Sequence, residues 1–178
     1  MRRIGTIWST ALVLFMGMFA MLQPTLAHAQ TGDTSDQVPE LSTDWSIRVG
    51  LYISQSKATR AASGEVGFSG NVERRVYAGR GYDINIGIGY NGMDAIYTVP
   101  ITANLIAYKD NIRYGFGLGY AFGKRINSRG TSGTVFDLLL GYQLTRGRNP
   151  LSLDLRYFFI GGSENELDGY SLTLGMKF

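Results

Sequence analysis

Large apolar side chains alternate strictly with small or polar ones along Ile112-Arg-Tyr-Gly-Phe-Gly-Leu-Gly-Tyr-Ala-Phe122. The large side chains are Ile112, Tyr114, Phe116, Leu118, Tyr120 and Phe122, and the positions between them hold Arg113, three glycines and Ala121. Successive residues of a β-strand point to opposite faces, whereas a helix repeats its apolar residues every three or four positions. The stretch therefore predicts a strand with one apolar face.

The same alternation recurs in seven further segments, so eight strands are predicted in all. Their apolar faces lie within residues 45–53, 66–72, 82–90, 97–105, 112–122, 136–144, 151–159 and 170–178. The second and fourth segments alternate less regularly than the others.

The predicted connections between these segments alternate in length. Short connections span residues 77–81, 109–111 and 145–150, and mostly longer ones span residues 54–63, 91–94, 123–133 and 161–169. The connection 91–94 is the short exception on its side. An even number of antiparallel strands with tight turns at one end is typical of a membrane barrel. The sequence therefore predicts an all-β fold, an eight-stranded antiparallel up-and-down transmembrane β-barrel over residues 45–178.

The N-terminal region predicts export from the cytoplasm. Two arginines follow Met1, an apolar run extends from Ala11 to Leu22, and small residues lead up to Ala29. We predict a signal peptide over residues 1–29, because a membrane-spanning helix would need about 18 or more apolar residues. Residues 30–44 combine four carboxylates with little apolar content and predict a flexible acidic periplasmic lead-in.

Composition excludes several classes of function. The 178-residue chain has no cysteine and one histidine, His28, which lies in the predicted signal peptide. The mature chain would then lack the thiolate and imidazole groups that most nucleophilic and metal sites use. Loss of Arg2 and Arg3 lowers the Lys+Arg count from 17 to 15, against 14 Asp+Glu, so the charge predicts no nucleic-acid partner. We expect no cofactor and no enzymatic activity.

The direction of the apolar face distinguishes a membrane barrel from a soluble lipocalin-like binder, which would turn that face inward around a ligand. The opposite face is rich in glycine, which lets a small barrel curl and leaves space for bulky inward neighbours. Aromatic residues end the apolar faces, with Trp45, Tyr114, Tyr142 and Phe178 at the predicted periplasmic end and Tyr90, Tyr97, Phe122, Phe136, Phe159 and Tyr170 at the outer end. Because membrane interfaces favour such rings, we predict that the apolar face contacts lipid.

Together these features resemble the small outer-membrane β-barrel proteins of the OmpA/OmpX type. The last strand, Tyr170-Ser-Leu-Thr-Leu-Gly-Met-Lys-Phe178, ends on an aromatic residue. The resemblance implies that Tyr170 and Phe178 belong to the signal read by the outer-membrane assembly machinery. It also implies a location in the bacterial outer membrane, in contact with its lipids and lipopolysaccharide, and we expect a monomer.

The small polar face of each strand predicts a charged lumen. Nine charged side chains point inward if the alternation is followed: Arg48, Glu65, Glu73, Asp83, Arg113, Asp137, Asp154, Arg156 and Lys177. An eight-stranded barrel is just wide enough for its own side chains, so we expect these charges to pair and plug it. The expected pairing cluster is Arg113, Asp137, Asp154 and Arg156, which come from three consecutive strands. A proton or ion path, and hence a small porin-like channel, is the alternative.

The predicted outer loops carry charges of both signs. Basic residues lie in the first and third loops and acidic ones in the fourth, namely Lys57, Arg60, Lys124, Arg125 and Arg129 against Glu164, Glu166 and Asp168. Three interpretations are open: simple solvation, contact of the basic residues with lipopolysaccharide phosphates or an acidic partner, and closure of the barrel mouth. The sequence predicts a non-enzymatic role in surface interaction, adhesion or envelope integrity, with a lipid-modifying enzyme as a further alternative.

Overall fold

The computed structural model describes residues 45–126, 130–146, 149–162 and 165–178. In this part of the chain eight antiparallel strands pair in sequence order, and the first also pairs with the last to close a barrel. The strands are β1 (Trp45–Ser54), β2 (Gly67–Ala78), β3 (Tyr82–Met93), β4 (Ile96–Lys109), β5 (Ile112–Lys124), β6 (Gly130–Gln143), β7 (Leu151–Ile160) and β8 (Gly169–Lys177). The predicted all-β up-and-down barrel is confirmed, whereas the predicted signal peptide 1–29 and lead-in 30–44 lie outside the described residues.

β2 and β4 are longer than their weak alternation suggested. A register shift between Arg75 and Tyr77 interrupts the pairing of β2 with β3. The extra residue at such a bulge breaks the period of two, so the sequence pattern fades before the strand ends. β4 likewise continues past Leu105 to Lys109, which pairs with Ile112 of β5.

The outer connections differ from their predicted lengths. A tight turn at Asp94, whose φ is +55°, replaces the predicted loop 91–94 because β3 and β4 both extend towards it. The predicted loop 123–133 is also shorter, because Lys124 and Gly130 still pair as the last rung between β5 and β6.

The first outer loop contains a short helix that was not predicted. This helix, α1 (Lys57–Ser63), begins after Ser56, whose hydroxyl accepts a hydrogen bond from the Thr59 amide at 3.3 Å. A serine at this position is a strong helix-start signal, and Gly64 with a φ of 98° ends the helix. Among the described residues, no helix has the length and apolar character needed to cross a membrane.

The outside of the barrel is apolar and its inside is mostly polar. Leu118 and Leu140, in the middle of β5 and near the end of β6, are 58% and 57% exposed. Outward residues of this kind occur on every strand, while the inward positions bury side chains such as Arg48, Glu73 and Asp154. Such a surface is suited to contact with lipid rather than water. The apolar face therefore points outward, as predicted for a membrane barrel, and not inward as in a lipocalin-like binder.

Candidate functional site

Buried arginines and carboxylates from four strands meet in the lumen. Arg48 of β1 lies 2.6 Å from Glu73 of β2 and 2.8 Å from Asp154 of β7. Arg156 of β7 forms a direct ion pair with Glu73 and lies 3.9 Å from Asp137 of β6. Each of these five side chains is at most 3% exposed. The contacts of Arg48 with Asp154 and of Arg156 with Glu73 therefore join strands that are distant in sequence.

Glu73 is the shared acceptor of this cluster. Besides its two arginine partners, its carboxylate accepts hydrogen bonds from Asn85 Nδ2 at 3.4 Å and from Asn104 Nδ2 at 3.3 Å. A buried carboxylate needs ion pairs and hydrogen bonds to offset its lost hydration, and four side chains from four strands provide them here. Removal of this carboxylate would leave two buried guanidinium groups without their common acceptor.

Arg113 of β5 adds a third arginine to the lumen cluster. Its Nη1 donates to Ser152 Oγ at 2.8 Å, and its Nε lies 3.7 Å from Asp154 Oδ1. With Arg113 included, three arginines face three carboxylates. We call these six side chains the lumen cluster, namely Arg48, Glu73, Arg113, Asp137, Asp154 and Arg156.

Gly117 shows what the inward glycines do in this lumen. A Cβ atom at this position would overlap the side-chain oxygens of both Asn104 and Asp137. The glycine-rich inner face predicted bulky neighbours in the space left by the glycines. At Gly117 the neighbours are polar instead, so the missing side chain makes room for members of the hydrogen-bonded network.

A second polar group lies nearer the periplasmic ends of the strands. Asp83 of β3 accepts hydrogen bonds from Tyr108 Oη at 2.9 Å and Lys177 Nζ at 3.2 Å, and it lies 3.6 Å from Arg75 Nη1. The Arg113 guanidinium lies 5.8 Å from the centre of the Tyr108 ring and so connects this group to the lumen cluster. Arg75 and Tyr108 were missed because they lie beyond the strand segments predicted from alternation.

Glu65 is not in the lumen, contrary to the sequence-based prediction. Its side chain is 85% exposed and lies 3.6 Å from Arg60 Nε in the first outer loop. Glu65 precedes Gly67, where β2 begins, so the alternation of the strand does not determine where its side chain points. The other eight predicted charges face inward, but the expected four-residue cluster omitted Arg48 and Glu73, which hold it together.

The fourth outer loop folds back into the barrel mouth. Leu167 is 2% exposed and packs in an apolar cluster with Ile96, Ala121, Val135, Phe158 and Ile160. Its backbone carbonyl accepts a hydrogen bond from Tyr52 Oη at 2.7 Å, and Asp168 Oδ1 accepts one from the Ile160 amide at 2.8 Å. An apolar layer thus covers the outer end of the polar lumen. Asp168 is accordingly buried and is not a solvated loop residue.

An ion pair links this loop to the third outer loop. Arg125 donates through Nε and Nη2 to the two carboxylate oxygens of Glu166 at 3.0 and 3.1 Å. The Ile126 amide donates to the same carboxylate at 3.3 Å, and Thr59 Oγ1 of α1 donates to the Glu166 carbonyl at 2.8 Å. The hydrogen bonds from Arg125 lower the pKa of the Glu166 carboxyl. Arg125 and Glu166 therefore fit the interpretation that the outer charges close the mouth.

The other charged residues at the outer end of the barrel differ in their contacts. Arg60 donates to two backbone carbonyls of its own loop, at 2.5 and 3.0 Å. Lys57 is exposed and Lys124, the last residue of β5, is partly buried. Neither lysine forms an ion pair within the described residues. Arg129 and Glu164 lie outside the described residues.

We expect the contact between Arg125 and Glu166 to be lost in acid. Because the folded-state pKa of Glu166 is lowered, its stabilising effect is complete above the ordinary glutamate pKa of about 4.3. The effect disappears as the pH falls through the lowered value. Hydrogen exchange of the Ile126 amide, corrected for intrinsic rates, should therefore accelerate at the acid end of a titration from pH 6 to pH 3.

Glu166→Gln is the control for this titration. Without an ionisable group at this position, Ile126 should already exchange faster than in the unaltered protein at pH 6, the two rates should converge in acid, and the variant should show no acid-dependent step. Protection of the Ile126 amide that stays constant down to pH 3 in the unaltered protein would contradict the assignment.

Comparison with known proteins relates this barrel to solved structures. No protein-family model matches the sequence, and no curated protein matches it. The crystal structure of Neisserial surface protein A is similar, with a TM-score of 0.54 and 14% sequence identity over 76% of this chain and 96% of that chain. The Yersinia pestis outer membrane protein Ail, in a phospholipid bilayer nanodisc, gives a TM-score of 0.48 and 13% identity over 77% and 100% of the two chains.

The likeness to the Neisserial protein shows a shared fold. The apolar outer surface of the present chain indicates that lipid surrounds the barrel. This chain has the fold of a small eight-stranded outer-membrane β-barrel. Its apolar surface, bounded by aromatic rings at both ends, is the surface that such a barrel presents to lipid. The fold and this surface together support the predicted location in the bacterial outer membrane.

The two residues of the predicted assembly signal lie at opposite ends of this barrel's last strand. Tyr170 points outward, with its ring centre 4.9 Å from that of Tyr157. Phe178 exchanges two backbone hydrogen bonds of 2.8 Å with Trp45, which joins the end of the barrel to its beginning. Their role in assembly stays a prediction. Within the described residues, no group of three or more Asp, Glu, His or Cys side chains is placed to hold a metal ion.

Proposed function

We propose that this protein is a non-enzymatic outer-membrane barrel whose lumen is plugged by its own side chains. The observation that carries the proposal is the lumen cluster, in which three arginines neutralise three carboxylates. Breaking a buried ion pair costs about 3–5 kcal/mol when one partner is removed, so a permeating ion would face a steep barrier. The apolar layer around Leu167 adds a second obstacle at the outer mouth.

Purified protein in planar lipid bilayers is therefore expected to give no stable single-channel steps. Heat-modifiable gel mobility of the same sample checks that the barrel is folded. Glu166→Gln should loosen the outer loop and still give no conductance, because the lumen cluster is intact. Reproducible steps from the unaltered protein, with an ion selectivity changed by Arg113→Glu or Asp137→Lys, would reject the plug and establish the porin-like alternative.

The absence of enzymatic activity is also a proposal. Residues 30–178 contain neither histidine nor cysteine, and the carboxylates of the lumen cluster are held by arginines rather than free to act as general bases. Mass spectrometry of lipid A and phospholipids from cells with and without the protein tests the lipid-modifying alternative. A protein-dependent change in acyl chains would contradict the proposal.

We further propose that the barrel acts at the cell surface, in adhesion, partner binding or envelope integrity. Lys57 and Lys124 support contact with lipopolysaccharide phosphates, since both lie at the outer end and form no ion pair within the described residues. Binding of the purified barrel to lipopolysaccharide micelles should weaken when both lysines are replaced by glutamine. Lys109→Gln, at the periplasmic end of β4, is the matched control, and an equal loss there would point to unspecific charge attraction.

A further inference from the structure

Arg74 occupies an unusual position on the lipid-facing surface. Outward and inward residues alternate along β2, and Val72 and Arg74 are exposed on the outer face while Glu73 between them is buried. Among the outward side chains of the described strands, Arg74 is the only charged one that lies inside a strand and not at its end. Lys109 and Lys124 are the end residues of β4 and β5. A charge on the lipid face is costly unless it lies near an interface and has a counter-ion.

The neighbours of Arg74 place it at the periplasmic interface. Trp45, the first residue of β1, is its direct partner in the strand register, and the guanidinium carbon lies 5.6 Å from the centre of the Trp45 ring. The next outward ring towards the periplasmic turn is that of Tyr77, 5.8 Å from the ring of Tyr82. Exposed tryptophan and tyrosine side chains lie at the level of lipid headgroups. Arg74 is therefore within reach of the headgroups of the periplasmic leaflet.

The described contacts of Arg74 do not use the hydrogen-bond donors of its guanidinium group. Within the described part of the chain its guanidinium lies over the Trp45 ring and forms no ion pair. The face of a ring attracts a cation but does not supply the paired oxygen acceptors that the planar guanidinium fork matches. A phosphate group supplies two such oxygens and a negative charge.

We propose that Arg74, stacked on Trp45, binds the phosphate of an anionic phospholipid in the periplasmic leaflet. A headgroup with a net negative charge neutralises the arginine, whereas a zwitterionic headgroup brings its own cation. In the lumen the barrel balances its arginines with its own carboxylates, but on the lipid face the membrane supplies the counter-ion. The proposal rests on membrane insertion and is independent of the plugged lumen and the outer loops.

Quenching of Trp45 fluorescence by brominated lipids tests this site directly. The chain has two tryptophans, and Trp8 lies in the predicted signal peptide, so Trp45 is the single reporter in the mature barrel. The barrel is reconstituted in phosphatidylcholine bilayers that contain increasing fractions of brominated phosphatidylglycerol or, in parallel, brominated phosphatidylcholine. We expect a relative binding constant about five-fold higher for phosphatidylglycerol, since one arginine near an anionic lipid surface contributes about 1 kcal/mol.

Substitutions at Arg74 should change this ratio specifically. Arg74→Gln is expected to lower it to about one, and Arg74→Lys, which keeps the charge but not the planar fork, should retain part of it. Arg80→Gln is the matched control, because Arg80 is an exposed arginine in the turn between β2 and β3 and should leave the ratio unchanged. Gel mobility verifies that each variant is folded.

Several results would overturn the headgroup site. These are an absent preference in the unaltered mature barrel, a preference that survives Arg74→Gln, and an equal loss in Arg80→Gln. A ratio that depends on the protein-to-lipid ratio would identify a second copy of the chain as the occupant and would also reject the lipid. Absence of quenching by brominated phosphatidylcholine would contradict membrane insertion itself, so the two failures are distinguishable.

Discussion

Replacement of Glu73 by alanine is expected to destabilise the barrel by about 3–5 kcal/mol. The substitution removes the acceptor shared by Arg48 and Arg156 and the hydrogen-bond partner of Asn85 and Asn104. Two buried guanidinium groups then lose an ion-pair partner that offsets their lost hydration, and this loss destabilises the folded state. Urea unfolding in phospholipid vesicles, followed by the heat-modifiable mobility of the folded barrel, measures the difference.

The chain offers a matched control for this measurement. Glu65→Ala removes the same side chain from an exposed position 3.6 Å from Arg60, and its effect should stay within about 0.5 kcal/mol. The double variant Glu73→Leu with Arg156→Met should lose less stability than the sum of its single changes, because neither partner is left charged and alone. Equal losses for Glu73→Ala and Glu65→Ala would show that the lumen cluster contributes nothing.

The barrel was predictable because its signal is local. Each strand carries its own period-two pattern, and Ile112 to Phe122 needs no information from the rest of the chain to be recognised as a strand. Prediction failed where the local pattern is interrupted by pairing geometry. The bulge between Arg75 and Tyr77 hides the second half of β2, and the capping serine of α1 is a short signal inside a loop.

The lumen cluster was predictable only in part, because its partners are chosen by closure of the barrel. Alternation indicates that Arg48 and Asp154 both point inward, but the two residues are 106 positions apart in sequence. Strand order alone favoured pairing among the neighbouring strands β5, β6 and β7. The contacts across β1, β2 and β7 arise because β1 and β8 pair and bring the two ends of the sheet together.

The burial of the fourth outer loop has one signal in the sequence. Leu167 is a single large apolar residue among acidic ones in the fourth loop, and such a residue has little reason to remain in solvent. The structure buries it in an apolar cluster, directly after Glu166 in sequence, whose carboxylate pairs with Arg125. Lys57 and Lys124, which form no ion pair within the described residues, could be distinguished from Arg125 only by the contacts in the structure.

Leu118→Arg is expected to destabilise the folded barrel in vesicles by about 2–4 kcal/mol. Leu118 lies at the middle of β5, is 58% exposed, and pairs with Ala103 of β4 and Phe136 of β6, so the new charge would lie near the centre of the lipid layer. Leu144→Arg is the matched control, because Leu144 is also exposed but lies just past the end of β6, where the cost should be about 0–1 kcal/mol.

The difference in stability between these two arginine variants shows whether lipid or water surrounds the apolar face. In a barrel surrounded by water, an arginine at either exposed leucine would change stability by no more than about 0.5 kcal/mol. In a barrel surrounded by lipid, the cost depends on depth, so the variant at Leu118 must be the less stable of the two. Urea unfolding of both variants in the same vesicles therefore tests the membrane assignment without reference to any ligand. Equal stabilities would remove the physical basis for placing the apolar face in lipid.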